Sequence, residues 1–198
     1  MFRIRLLSAV ALSTAMLAPI AAATPASAQV VTSDPAKFVD TLADQGFAVL
    51  RAGDRASARA KFRSLLSQHF AIDQIGDRLI ARWRPQITPA QYAAYKAALP
   101  SFLIGTYADR LYEYANADVK VLRAVPRGNS VAVLSQVVKP GAQPITAVWQ
   151  VDRVGGGYKV SNLTVAGINL ALTQTADFNA YVQRNGFDKL VAFMKARG

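Results

Sequence analysis

Cysteine, histidine and glutamate are almost missing from this sequence, which has no cysteine, one histidine, His69, and one glutamate, Glu113. Without a thiol, the fold cannot be cross-linked by disulfides and the chain cannot be anchored as an acylated lipoprotein. Metal sites built from clustered Cys and His side chains are excluded as well. A Ser-His-Asp site would need His69, which lies on an apolar helical stripe with no nucleophile-elbow motif nearby. We therefore expect no catalytic residue, no metal and no cofactor, and a function other than catalysis.

Two further patterns could suggest chemistry, but each has a simpler interpretation. Asp109 and Glu113 are four residues apart, the spacing at which two carboxylates share one helix face. Arg110 beside them favours an ordinary solvated surface. The run Gly155-Gly156-Gly157 lacks the lysine and the following helix of a phosphate-binding loop, so it indicates a tight turn.

The first 28 residues have the order of a secretory signal. Arg3 and Arg5 precede a long uncharged run, which ends in the small-residue site Ala26-Ser27-Ala28. An uncleaved membrane anchor is the alternative, since the run approaches the roughly 20 residues that cross a bilayer. Pro25 and the small polar residues near the end of the run favour cleavage. We therefore expect a signal peptide over residues 1–28 and export of the remaining chain.

Basic residues are in excess in the rest of the chain but never form a run. Removing Arg3 and Arg5 from the 23 basic residues leaves 21 against 12 acidic ones, a net charge of +9 for residues 29–198. This length suffices for one domain with a substantial core. The charge favours anionic partners, and for an exported protein the nearest anionic surface is phospholipid rather than nucleic acid. Ordinary solubilising charge is the alternative interpretation.

Short signals predict where the helices begin and end. Ser33-Asp34-Pro35 predicts a helix start, Gly53 a stop, and Asp54 the cap of the next helix. Thr88-Pro89-Ala90-Gln91 predicts a capping box, because Thr and Gln can each satisfy a backbone donor of the other. Pro100 then either kinks this helix or starts a new one, within an apolar and aromatic stripe that continues to about residue 115. Such a stripe is typical of a solid core, although it could also line a ligand cavity.

The second half of the chain predicts an antiparallel meander around one central hairpin, residues 144–170. Apolar residues alternate through Ile145 to Val151, and the glycine run then reverses the chain. In the second arm the apolar residues change parity, and a bulge near Ser161-Asn162 would bring all of them to one face. Helical patterns follow over residues 177–194. The predicted fold is α+β: an antiparallel sheet of about four strands packed against N-terminal and C-terminal helices.

Several segments together resemble one known family. They are LLSQHFAIDQIG at 65–76, WRPQITPAQYAAY at 83–95, FLIGTYADRLYEY at 102–114, GYKVSNLTVAGINL at 157–170 and GFDKLVAFMKARG at 186–198. In this order they resemble the MlaC, or toluene-tolerance, family of periplasmic phospholipid-binding proteins. Ala71 and Pro100 depart from the family pattern, and a hopanoid-associated branch of the family stays open as an alternative.

The resemblance implies a lipid carrier with an apolar pocket for acyl chains between its helices and its sheet. It also implies two protein partners in an Mla-type system that maintains outer-membrane lipid asymmetry: an outer-membrane complex of the MlaA type and an inner-membrane ABC transporter complex of the MlaD type. A wall carrying Trp149 and Tyr158 would then face the stripe from Phe102 to Tyr114 across the pocket. The lipid-contacting residues expected on this basis are Phe102, Leu103, Tyr107, Leu111, Val133, Ala147, Trp149, Tyr158, Val160 and Val165.

Overall fold

The computed structural model describes residues 29–52 and 54–198, apart from the side chains of residues 108–110. The expected signal peptide and the expected helix stop at Gly53 lie outside the described residues. In the part of the chain that is described, no helix is both long enough and apolar enough to cross a membrane.

Six α-helices and five strands make up the described fold. The helices are α1 (Pro35–Arg51), α2 (Arg55–His69), α3 (Ile72–Leu79), α4 (Pro89–Tyr112), α5 (Leu170–Asn185) and α6 (Phe187–Arg197), with a 3₁₀ turn at Arg84–Gln86. The strands are β1 (Asp118–Arg127), β2 (Ser130–Val138), β3 (Ile145–Val154), β4 (Gly157–Val165) and β5 (Ile168–Asn169). They form one antiparallel sheet in sequential order, and the α+β prediction is confirmed.

The predicted helix starts are confirmed at the level of single hydrogen bonds. The carboxylates of Asp34 and Asp54 each accept a bond of 2.8 Å from the backbone N–H three residues later. At α4 the Thr88 hydroxyl accepts from the Gln91 N–H at 3.2 Å, and the Gln91 amide oxygen accepts from the Thr88 N–H at 2.9 Å. These contacts satisfy donors that the first helical turn would otherwise leave unpaired.

Helix α4 continues through Pro100, so no new helix starts at this proline. Proline within a helix costs about 3 kcal/mol, because it removes one backbone bond and crowds the preceding turn. Tyr95, Leu99 and Phe102 on either side of it are all buried, at 0 %, 0 % and 2 % exposure. The packing of both halves into one core outweighs the lost hydrogen bond.

The expected bulge is present in β4. Gln150 lies opposite Asn162 and Val151 opposite Val160, so Ser161 is an extra residue without a partner on β3. The extra residue changes the parity of the strand, as the alternation in the sequence required. A second register shift, between Val121 and Arg123 on β1, was not predicted.

Apolar side chains gather into two separate clusters. The sheet-side core joins α1 to the sheet and contains Phe38, Val39, Leu42, Val133, Val151, Tyr158 and Val160. The helix-side core joins α3 to α6 and contains Leu79, Ile80, Tyr95, Ala98, Leu99, Phe102, Phe178, Val182, Phe187, Leu190, Val191 and Met194. The two cores meet where the sheet packs against the helices.

Candidate functional site

A half-enclosed apolar cavity of about 110 Å³ lies between the two cores, and we call it the cleft. Its exposed inner surface is almost entirely apolar. The ends of α2, α3, the middle of α4, the bulged part of β4 and the start of α5 form its walls. The lining residues are Leu66, Phe70, Ile72, Ile75, Leu79, Leu103, Tyr107, Val160, Ser161, Asn162, Leu163, Leu170, Ala171 and Gln174.

One wall of the cleft is fixed where the α2–α3 junction covers the edge of β4. Phe70 forms an isolated parallel bridge with Val160, and the Ala71 N–H donates to the Val160 carbonyl at 2.9 Å. The Arg78 guanidinium donates to the carbonyl of Ser161, the bulge residue, at 3.2 Å. Covering a strand edge in this way satisfies its backbone groups and prevents pairing with other chains. It also places an exposed cation beside the cleft.

Four polar side chains line the cleft: Tyr107, Ser161, Asn162 and Gln174. Gln174 is 7 % exposed, and its amide oxygen accepts a hydrogen bond of 3.4 Å from the Tyr107 hydroxyl. The Asn162 amide oxygen is already engaged by the N–H of Leu163 at 2.9 Å. The cleft therefore offers contact to hydrocarbon over almost all of its exposed wall.

His69 does not line the cleft. It lies in the last turn of α2, with its ring centroid 6.1 Å from that of Phe38. Burial lowers the pKa of His69 below its usual value of 6.5, and the nearby positive charge of Lys159 lowers it further. Within the described residues, no group of His, Asp and Glu side chains is placed to hold a metal ion.

Three of the residues expected to contact lipid lie in the cleft wall: Leu103 and Tyr107 on α4, and Val160 on β4. Leu111 lies one helical turn beyond Tyr107 and is 39 % exposed. Phe102 belongs to the helix-side core. Their contact with lipid stays a prediction.

The other expected residues lie along the sheet, away from the cleft wall. Val133 and Tyr158 belong to the sheet-side core and Trp149 packs against it, since α1 covers this part of the sheet. The Phe38 and Tyr158 rings are 6.4 Å apart. Ala147 is buried beside Val165 on the neighbouring strand.

Most of the residues that line the cleft were not among those predicted from the sequence to contact lipid. Ile72, Ile75 and Leu79 repeat at helical spacing, so the apolar face of α3 was visible. Gln174 carried no signal, because a single glutamine within a helix is ordinary. Periodicity identifies a buried face but does not indicate which element covers it.

A second cavity of about 260 Å³ lies between α4, α5 and α6, and we call it the groove. Its surface is mixed, with aromatic rings beside charged side chains. Gln174 lines both cavities. The groove residues are Phe102, Thr106, Gln174, Asp177, Phe178, Ala180, Tyr181, Arg184, Leu190, Phe193 and Arg197.

Comparison with known proteins identifies a family and a solved structure with a similar fold. The family model described as MlaC protein matches residues 38–196. Among solved structures, the chain is similar to a phospholipid-binding protein from Ralstonia solanacearum, determined in complex with a phospholipid. The TM-score is 0.69 and the identity 24 %, over 84 % of this chain and 97 % of that one. At this identity the likeness supports the fold.

Proposed function

Because this chain belongs to the MlaC family, we propose that it is a periplasmic carrier that binds phospholipid with the acyl chains buried in the cleft. The observation that carries the proposal is the cleft itself, an apolar cavity at the junction of sheet and helices. The phospholipid bound to the structural relative from Ralstonia solanacearum supports the same ligand class.

The need for a carrier follows from the hydrophobic effect. A diacyl lipid has about thirty methylene groups, and exposing them to water at about 0.8 kcal/mol each would cost more than about 20 kcal/mol. Free diffusion across an aqueous compartment is therefore negligible. A carrier does not need to bind lipid more tightly than a bilayer does, because both environments are apolar. It only needs to keep the acyl chains out of water.

The cleft must widen before it can hold a whole acyl chain. An engineered apolar cavity of about 150 Å³ holds one benzene molecule. A cavity of about 110 Å³ therefore accommodates only a few carbons of an acyl chain. Loading requires the walls to separate, and the division into two cores lets this happen without opening either one.

We further propose that the carrier is exported by cleavage of the signal peptide and shuttles lipid between the two membranes. Its partners would be an outer-membrane complex of the MlaA type and an inner-membrane ABC complex of the MlaD type. Family membership supports both proposals. A non-enzymatic role agrees with the cleft lining, where the polar side chains are Tyr107, Ser161, Asn162 and Gln174.

Denaturing mass spectrometry of an organic extract of the purified mature protein tests the carrier function. We expect intact phospholipid at about one molecule per protein. Hopanoid in its place would indicate the hopanoid-associated branch of the family. An extract free of lipid would indicate an interaction module with a solid core and overturn the proposal. Lysolipid or free fatty acid would indicate a hydrolase.

A further inference from the structure

Positive charge is dense on helix α2. This helix has four basic residues and no acidic one, which gives it a net charge of +4 in 15 residues. Residues 29–198 together carry +9. A surface that is charged only for solubility has both signs interspersed. Nearly half of the net charge on one short helix is more than solubility requires.

The helix brings together basic residues that are separated in the sequence. Arg59 and Arg63 are four residues apart, so they are neighbours on one side of α2, with Cβ atoms about 5 to 6 Å apart. At 3.6 residues per turn, Lys61 lies on the other side of the same exposed face. We call this surface the α2 basic face. Between its two sides run four small and exposed residues: Ala56, Ala60, Ser64 and Ser67.

The three cations of the α2 basic face are not neutralised within the described part of the chain. Arg59, Lys61 and Arg63 are exposed, and no described residue forms an ion pair or a hydrogen bond with their side chains. Like charges four residues apart destabilise a helix. Ala58 is the one fully buried residue of α2, so little burial offsets this repulsion. An anionic surface against the helix would remove the repulsion.

The α2 basic face leads to the cleft. Leu66 follows Arg63 by three residues, so the two side chains are neighbours on the helix surface. Leu66 lines the cleft, and so does Phe70, the residue that caps the end of α2. An anionic surface that covers the α2 basic face would therefore lie beside a wall of the cleft.

The chemistry of the α2 basic face favours a bilayer over a protein as its partner. Protein interfaces take most of their binding energy from a few residues, enriched in Trp, Tyr and Arg, that are packed in desolvated pockets. Among the exposed residues described on α2, none is aromatic or a large aliphatic residue that could pack around the arginines. Adsorption to an anionic bilayer needs no such packing, because each Lys or Arg near the surface contributes through its charge.

We propose that α2 docks the protein on anionic bilayers through Arg59, Lys61 and Arg63, with the cleft held beside the lipid surface. The inference rests on the proposed carrier function, since a carrier must exchange its lipid at a membrane. Each basic residue close to an anionic bilayer strengthens binding about fivefold, so three of them contribute on the order of 100-fold. The attraction is electrostatic and weakens as the ionic strength rises.

Cosedimentation with lipid vesicles tests the docking face. Mature protein is mixed with vesicles of phosphatidylcholine, either alone or with an equal amount of phosphatidylglycerol, at low and at physiological salt. We expect binding to the mixed vesicles only, and weaker binding at the higher salt. The triple variant Arg59→Gln, Lys61→Gln and Arg63→Gln should bind the mixed vesicles on the order of 100-fold more weakly. It should melt no lower than wild type, because it loses the repulsion between like charges.

The matched control is the triple variant Lys120→Gln, Arg123→Gln and Arg127→Gln. It removes the same charge from exposed positions on β1, which lies at the edge of the sheet opposite β4 and β5. Its binding should stay close to that of wild type, because charges farther from the bilayer than the Debye length, about 8 Å, are screened.

Three results would overturn the docking face: no preference of wild type for the mixed vesicles, unchanged binding by the α2 variant, or an equal loss in both triple variants. The docking face and the carrier function fail separately. Vesicle binding decides the first, and phospholipid in organic extracts of wild type decides the second. Extracts of the α2 variant should contain as much phospholipid as those of wild type, because none of its three substitutions lies in the cleft wall.

Discussion

Replacing Gly105 with alanine tests how closely α6 approaches α4. A Cβ atom at Gly105 would overlap the carbonyl oxygen of Arg197, a backbone atom of α6, so the helices must separate to accept it. Overpacking of this kind costs about 1 to 3 kcal/mol, and alanine recovers about 1 kcal/mol of helix propensity. We expect a net loss of up to about 2 kcal/mol in the free energy of unfolding. For a chain of this size the melting temperature should fall by up to roughly 8 °C.

Gly46 on α1 provides the matched control. A Cβ atom there would meet only a ring carbon of Phe62 at 3.9 Å, an ordinary contact. The Gly46→Ala variant should therefore gain about 1 kcal/mol from propensity alone. Urea unfolding followed by circular dichroism measures both variants under the same conditions. If Gly105→Ala is stabilised as much as Gly46→Ala, α6 does not pack against α4 as closely as the structure indicates.

Three further predictions follow from the cleft, from a histidine and from a helix cap. Leu103→Trp should fill the cleft and reduce phospholipid in organic extracts, whereas Leu122→Trp, at an exposed position, should not. Burial and Lys159 lower the pKa of His69 in the folded protein, so the unfolded chain is protonated first as the pH falls below about 6.5. Below that pH, the urea midpoint of wild type should therefore decrease relative to that of His69→Gln. Thr88→Ala removes the cap of α4 and should cost about 1 kcal/mol in urea unfolding.

Local features of the fold could be predicted because short-range interactions produce them. The caps at Asp34 and Thr88 need only a side-chain oxygen within three residues of a free N–H. The bulge at Ser161 followed from a change of parity within a single strand. Each of these signals is complete within a few residues, so its outcome depends little on the rest of the chain.

The wall of the cleft was predicted less directly than the caps and the bulge, because its geometry depends on which apolar faces meet. The sequence predicts buried faces around Tyr158 on β4 and Phe102 on α4, and the family resemblance placed them across one pocket. In the structure, Phe38 of α1 covers Tyr158, and Phe102 packs against Phe178 of α5 with their rings 5.4 Å apart. Only the neighbouring residues on the same elements, such as Val160 and Leu103, face each other across the cleft.

The sequence by itself therefore determined the helix caps at Asp34 and Thr88, the α+β class and, through its motifs, the family. It did not indicate the fifth strand or the start of α5 at Leu170. The tertiary structure decided that two cores form instead of one, that the cleft lies between them, and that Gln174 lines both the cleft and the groove. The physical reason is that hydrophobic burial is non-directional. An apolar stripe must be covered, but any apolar surface of suitable shape can cover it, and the choice depends on the packing of the whole chain.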